Sequence, residues 1–116
     1  MPLLEQPARR DHIYGSDGAD RLDGGKGDDF LVGGGGNDTF VFQRGSGRDE
    51  IADFGRVVGN RDLIDVGDYS FKNFAKLQAR ISDDSLGNAV VRLNDNNSVT
   101  VIGVNAADLS ASDFIL

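Results

Sequence analysis

Cysteine and tryptophan are absent from the 116 residues, and there are only two prolines, one histidine and one methionine. Without cysteine neither a disulfide framework nor a thiolate zinc site can form, so a domain stable outside a cell needs another staple, and a bound metal is the obvious one. With His12 alone there is no His-Glu-x-x-His motif, and no Gly-x-Ser-x-Gly elbow is present, so a hydrolase site has almost no material. No apolar run approaches membrane-spanning length, and Met1 to His12 holds no stretch of signal-peptide length, so neither an anchor nor a Sec-type leader is expected. Positive charge is scarce: 12 Lys and Arg face 19 Asp and Glu, the formal net charge is −7, and no basic stripe could neutralise phosphates. Nucleic-acid binding is therefore set aside. Glutamate is scarce too, since 17 of the 19 acidic residues are Asp. Its short carboxylate stays near the backbone, which suits turns and hard-cation sites better than helix surfaces.

What is present is periodic. Residues 15 to 41 fall into three consecutive blocks of nine, Gly15 to Asp23, Gly24 to Val32 and Gly33 to Val41. Each block has Gly in the first and fourth places, Asp in the sixth (Asp20, Asp29, Asp38) and a large apolar residue in the eighth (Leu22, Leu31, Phe40). Glycine permits positive φ and lets carbonyls crowd around one point, and the sixth-place Asp adds a charged oxygen there. Calcium takes six to eight oxygen ligands, so one short turn cannot fill its shell and two turns must share an ion. The last three residues of a block make a short strand whose central side chain points inward. Two blocks then complete a circuit, so Asp20 should face Asp38, and Asp29 needs a partner at Asp11 or after Phe42. Gln6 to Tyr14 keeps Asp11 and Ile13 in phase but lacks the glycines, and reads as a decayed repeat capping the stack.

A flexible linker would share this composition, but a linker has no reason to return an apolar residue every ninth position. The segment from Asp17 lacks the ligand spacing and closing Glu of an EF-hand, and Gly24-Gly-Lys-Gly lacks the Walker-A order.

Beyond the repeats, residues 42–68 alternate apolar and acidic residues around Asp49, Ile51, Asp53, Ile64 and Asp65, which predicts strands continuing the stack with Ile inward and Asp outward. Asp49 or Asp53 could close the last metal site. Phe71, Phe74 and Leu77 recur at threes after Ser70, predicting a helix of two to three turns N-capped by that serine. Asn88 to Leu93 and Ser98 to Val104 read as a hairpin joined by Asn94-Asp-Asn-Asn97. Blocks zero and two send Tyr14, Phe30 and Val32 outward, whereas block one sends Arg21 and Asp23. We therefore expect the helix and hairpin to pack over the Tyr14, Phe30 and Val32 side and the other sheet to stay wet. His12 and the pair Asp83 and Asp84 read as surface residues. Arg44, Arg48, Arg56 and Arg61 hold a third of the basic residues, and their forks suit uronate carboxylates as well as neighbouring acids.

The nonapeptides, the later strands, the helix, the hairpin and the ending Asp113-Phe-Ile-Leu116 together resemble the C-terminal region of RTX proteins such as serralysin-type proteases. More distantly the chain is similar to the R-modules of alginate epimerases. The resemblance implies a mainly β fold, a parallel β-roll followed by short strands, one helix and a hairpin packed on it. It implies one module over residues 1–116, with repeats at 6–41, continuing strands at 42–68, and a helix, hairpin and secretion-signal-like segment at 69–116. The cofactor it implies is Ca2+, held by Ser16, Gly18 and Asp20 with Gly33, Gly35 and Asp38, and by a half-site of Gly25, Gly27 and Asp29. Further candidate ligands are Asp11, Gly24, Lys26, Gly34, Gly36, Asp49 and Asp53. It also implies a non-catalytic calcium-binding part of a secreted bacterial protein that folds on calcium outside the cell and is exported by a type I secretion apparatus reading its C-terminus. The alternative is a non-catalytic module binding an anionic polysaccharide for a carbohydrate-active enzyme.

Overall fold

The computed structural model describes residues 3–4, 12–57 and 60–116. Within each of the three nonapeptides of residues 15–41 the glycine-rich half turns and the other half is a three-residue strand. These are β3 (Arg21–Asp23), β4 (Phe30–Val32) and β5 (Thr39–Val41), with β1 (Leu3–Leu4) and β2 (His12–Tyr14) before them. Successive strands go to opposite sheets. One sheet runs β1-β3-β5 and continues through β9 (Leu63–Asp65) to β13 (Phe114–Ile115), all parallel. The other runs β2-β4, then β6 (Arg48–Ile51), β12 (Ser98–Val101), β11 (Ala89–Arg92) and β10 (Ile81–Asp83), turning antiparallel only at its last two pairings. A small pair, β7 (Arg56–Val57) and β8 (Asn60–Arg61), sits between β6 and β9.

Register places the eighth-place residues opposite one another. Ile13, Leu31, Ile51 and Val101 form one ladder, and Leu22, Phe40, Ile64 and Phe114 the other. All eight are buried in a single apolar cluster, each contributing about 1.5–3 kcal/mol of burial free energy. The hairpin forms as the sequence predicts, with Asn94 Oδ1 accepting from the backbone N–H groups of Asn96 and Asn97 at 2.9 Å.

Its placement differs from expectation. Rather than lying over Tyr14, Phe30 and Val32, the hairpin joins the edge of their sheet, where β12 pairs in parallel with β6. Strand alternation sends Val99 and Val101 into the core beside Asp49 and Ile51, so the same apolar residues that would have covered the outer face instead lengthen the roll. Tyr14 stays 59% exposed. On the opposite sheet Arg21 is exposed, but Asp23 is buried, its Oδ1 accepting from Gly25 N at 2.8 Å to cap the next turn.

The helix is also shorter than its periodicity predicts. Ser70 has φ 55° and closes a preceding 3-10 turn, Gly67–Tyr69, so it cannot start a helix. Asn73 is the N-cap instead, its side chain accepting from Lys76 N, and α1 spans only Phe74–Gln78. The apolar spacing still serves packing: Leu77 is fully buried, and Phe74 lies 5.7 Å from Phe114 between ring centroids. Among the described residues no helix is long and apolar enough to cross a membrane.

Candidate metal centre

The glycine turns stack two by two, as an 18-residue circuit requires. A Cβ placed on Gly34 would lie 2.8 Å from the Ser16 carbonyl oxygen, and one on Gly36 would lie 2.9 Å from that of Gly18, so turn one presents its carbonyls to turn three. A Cβ on Gly15 would fall between the Gly33 carbonyl and Asp20 Oδ2, both under 3 Å away. Ser16, Gly18, Asp20 and Gly33 are thus brought together, with Gly35 close to Asp17. On the other side of the roll the Gly27 carbonyl and Asp28 Oδ1 press against Gly47.

That last contact reveals a turn that the nine-residue phase hides. Positive φ recurs at Gly25 and Gly27, at Gly34 and Gly36, and again at Gly45 and Gly47. Gly45-Ser-Gly-Arg-Asp49 repeats the offsets of Gly34-Gly-Gly-Asn-Asp38, but two residues later than the phase predicts. Ile51 then takes the place of Leu31 in register. A further Asp62-Leu-Ile64 repeats Asp38-Thr-Phe40 without a glycine turn before it.

The sixth-place aspartates form two ladders. Asp20 N donates to Asp38 Oδ1 at 2.9 Å, and Asp38 N donates to Asp62 Oδ1 at 2.8 Å. Across the roll Asp29 N donates to Asp49 Oδ1 at 2.8 Å. Asp49 therefore points inward and is buried, contrary to the outward orientation expected of it. In each block the second carboxylate oxygen folds back over the block's first glycine, as Asp29 Oδ2 does over Gly24 and Asp38 Oδ2 over Gly33. Asp38 Oδ2 is buried and has no hydrogen-bond partner among the described residues. Asp20 differs, because Ser16 at the usual second glycine donates to it from its backbone N at 2.5 Å and its hydroxyl at 3.1 Å.

Burial pushes the Asp38 carboxyl up to about 6, with Asp62, Asp20 and Asp53 adding repulsion against the hydrogen bond from Asp20 N. Burial likewise raises Asp49 to about 8, aided by Asp29, Asp28 and Asp23. Asp62 is raised by burial too, against hydrogen bonds from Gly55 and Asp38. Carboxylates arranged so that each resists ionisation are what a divalent cation would relieve.

Among the described residues no three acidic or imidazole side chains gather at one point. The donor set is instead carbonyls with one carboxylate per turn, oxygen ligands that fit calcium and would suit neither zinc nor copper. The residues present therefore fit the ion, with Asp38 Oδ2 as the orphaned oxygen that needs it.

Residues 8–40 match, in four copies, the RTX calcium-binding nonapeptide repeat. The repeats are RTX repeats, and calcium is the ion such repeats bind. No curated protein matches the chain. Among solved structures it is similar to the extracellular lipase LipA from Serratia marcescens, at 21% identity and a TM-score of 0.61. That match covers 88% of this chain but only 20% of the lipase, and shows the fold. Two subunits of the Azotobacter vinelandii mannuronan C5-epimerase, AlgE6R3 and AlgE6R2, are each 25% identical with TM-scores of 0.50. They align over 93% and 96% of this chain and 78% and 92% of their own.

The remaining candidates separate. Lys26 is exposed at the tip of turn two. Asp53 accepts from Gly33 N and Gly34 N, both at 2.9 Å, and so caps turn three. Asp11 lies outside the described residues, as does the Arg56 side chain. His12 is exposed, its ring 5.3 Å from that of Phe30. Asp84 is held below the usual carboxylate range by hydrogen bonds from Asn88 and the turn after it, and Asp83 Oδ1 accepts from Ala106 N at 2.7 Å. Asp84 is thus engaged in its own turn and Asp83 by the later segment at Ala106. Sequence reasoning missed Asp62 as a partner of Asp38 and turn four as a turn; the shared Gly-x-Gly-x-Asp spacing was the signal that could have found the latter.

Proposed function

We propose that residues 1–116 are one calcium-binding module of a secreted bacterial protein, folding when calcium fills the stacked turns outside the cell and exported by a type I apparatus that reads its C-terminal segment. The observation that carries the reading is the buried, unpartnered Asp38 Oδ2 over a glycine turn. One site would use the carbonyls of Ser16, Gly18, Gly33 and Gly35 with the carboxylates of Asp20 and Asp38. The second would pair Gly25, Gly27 and Asp29 with the fourth turn and Asp49. Bound calcium would supply positive charge that favours the ionised forms of Asp38 and Asp49, which burial disfavours. In calcium-poor cytosol they repel one another and the turns stay apart; extracellular calcium, at about millimolar, lies in the range of such modules. A catalytic domain elsewhere in the parent protein belongs to this reading, which the chain's match to a fifth of the lipase supports.

The test is far-UV circular dichroism in chelator with calcium added and magnesium as control. A coil spectrum that becomes β at sub-millimolar to millimolar calcium, and not with magnesium, is expected. A folded spectrum indifferent to calcium would overturn the proposal.

A second reading is binding of an anionic polysaccharide such as mannuronan. It is favoured by Arg44 and Arg48, both exposed and without an ion pair among the described residues. Arg61, by contrast, is engaged by Asp113 at 3.4 Å. Replacing Arg44 and Arg48 with Ala should abolish retention on immobilised mannuronan while leaving calcium-dependent folding unchanged; retention by the variant, or none by the parent chain, sinks this second reading.

A further inference from the structure

Asp62 lies outside the nonapeptide repeats, yet it ends the ladder that begins at Asp20. Both its oxygens are taken: Oδ1 by Asp38 N at 2.8 Å and Oδ2 by Gly55 N at 2.7 Å. Fully buried and doubly engaged by backbone donors, it has the bonding of a strut. What it holds is the backbone of Asp38, whose Oδ1 is fixed by Asp20 N and whose Oδ2 is the orphaned oxygen.

The coil carrying Asp62 is held in turn by the end of the chain. Arg61 donates to Ser112 Oγ at 2.8 Å and reaches Asp113 Oδ1 at 3.4 Å, while its backbone N donates to Asn37 Oδ1 at 2.7 Å. β9, beginning one residue after Asp62, lies between β5 and β13, with Phe114 opposite Ile64. Val66 N adds a bond to Ile115 O at 2.9 Å. Asp113 is itself fully buried and accepts from Ser110 N at 2.8 Å, which fixes the segment's approach.

We propose that Asp62 is a positioning residue for the calcium site of turns one and three, and that residues 110–116 are the clasp that keeps it in place. Calcium affinity in the repeats therefore depends on a carboxylate outside them and on the far end of the chain. The inference rests on the calcium reading above. The Asp29 and Asp49 site lies on the other ladder, does not touch Asp62, and serves as an internal control.

The experiment is calcium titration by calorimetry of the full chain, the variants Asp62→Ala and Asp62→Asn, and a chain ending at Asp113. The unaltered chain should show two classes of site; if it binds no calcium, the underlying reading fails and the positioning role with it. Asp62→Ala and the shortened chain should weaken one class by about tenfold, the worth of the one hydrogen bond that holds Asp38 N, and leave the other in place. Asp62→Asn keeps an oxygen for Asp38 N, gives up only the bond from Gly55 N, and should retain most of the affinity. Equal weakening of both classes in Asp62→Ala, or no weakening, would overturn the proposal, and so would a loss in Asp62→Asn as large as in Asp62→Ala, which would make the charge itself a ligand.

Discussion

Gly45 and Gly47 sit in one turn with nearly the same φ, +85° and +83°, yet their surroundings differ. A Cβ on Gly45 meets nothing within 4 Å. On Gly47 it would lie 2.8 Å from the Gly27 carbonyl carbon, 2.9 Å from Asp28 Oδ1, and closer still to the Gly27 oxygen. Gly45→Ala should therefore cost only the left-handed backbone conformation, about 1–2 kcal/mol. Gly47→Ala adds a clash with backbone that cannot rotate away, about 1–3 kcal/mol more. The difference, about 2 kcal/mol, corresponds to a melting temperature lower by on the order of 10 °C for a domain of this size. Thermal unfolding of the two variants in saturating calcium measures it. Since both changes carry the same conformational cost, only the stacking of turn four on turn two separates them. Equal melting temperatures would refute that stacking, and with it the second calcium site.

The raised carboxyls make the chelated chain sensitive to pH. Between the ordinary value of 3.8 and the folded values of about 6 for Asp38 and about 8 for Asp49, the folded form binds protons that the unfolded form has lost. The folded fraction in chelator should thus fall as pH rises through that interval, and calcium affinity should rise with it; the β signal in chelator and the calcium midpoint, each at pH 5 and pH 8, check the direction, and values unchanged by pH would contradict it. Within the roll, Leu31→Ala should cost about 2–5 kcal/mol because the site is fully enclosed, whereas Tyr14→Ser on the uncovered outer face should stay within about 0.5 kcal/mol; urea unfolding distinguishes them.

The repeats were legible because two constraints coincide in them. The turn needs glycine and the strand needs one inward apolar residue, so residues 15 to 41 disclose turns, strands, core positions and the facing of Asp20 and Asp38. Past Val41 the constraints part. Two extra residues at a corner leave strand pairing intact, since Leu31 still meets Ile51, but they break the count of nine and conceal turn four. Asp62 keeps its place through the strand that follows it, although no glycine marks it. The hairpin could be read as a hairpin, but nothing local says whether its apolar face covers a sheet or extends one. That depends on β6 offering the edge that β12 takes, which is a property of the assembled roll.

Side chains bring a repeat that could stack indefinitely to a stop. In the regular part, Gly15 N donates to the Val32 carbonyl at 2.8 Å, a bond between one coil and the next. The equivalent donor in turn three, Gly33 N, meets the Asp53 carboxylate instead. Turn four ends the same way: Asn97 Oδ1 accepts from Gly47 N, and Asp68 Oδ2 accepts from Arg44 N, both at 2.8 Å. Three side-chain oxygens thus stand where a further coil would have offered carbonyls. A backbone N–H that no further coil meets takes another acceptor, and these acceptors come from short Asp and Asn side chains, which can fold onto nearby backbone without the entropy cost of a longer stem. The excess of Asp over Glu in this chain therefore has two causes, since the same residue that suits the calcium-binding turns also closes the stack beyond them.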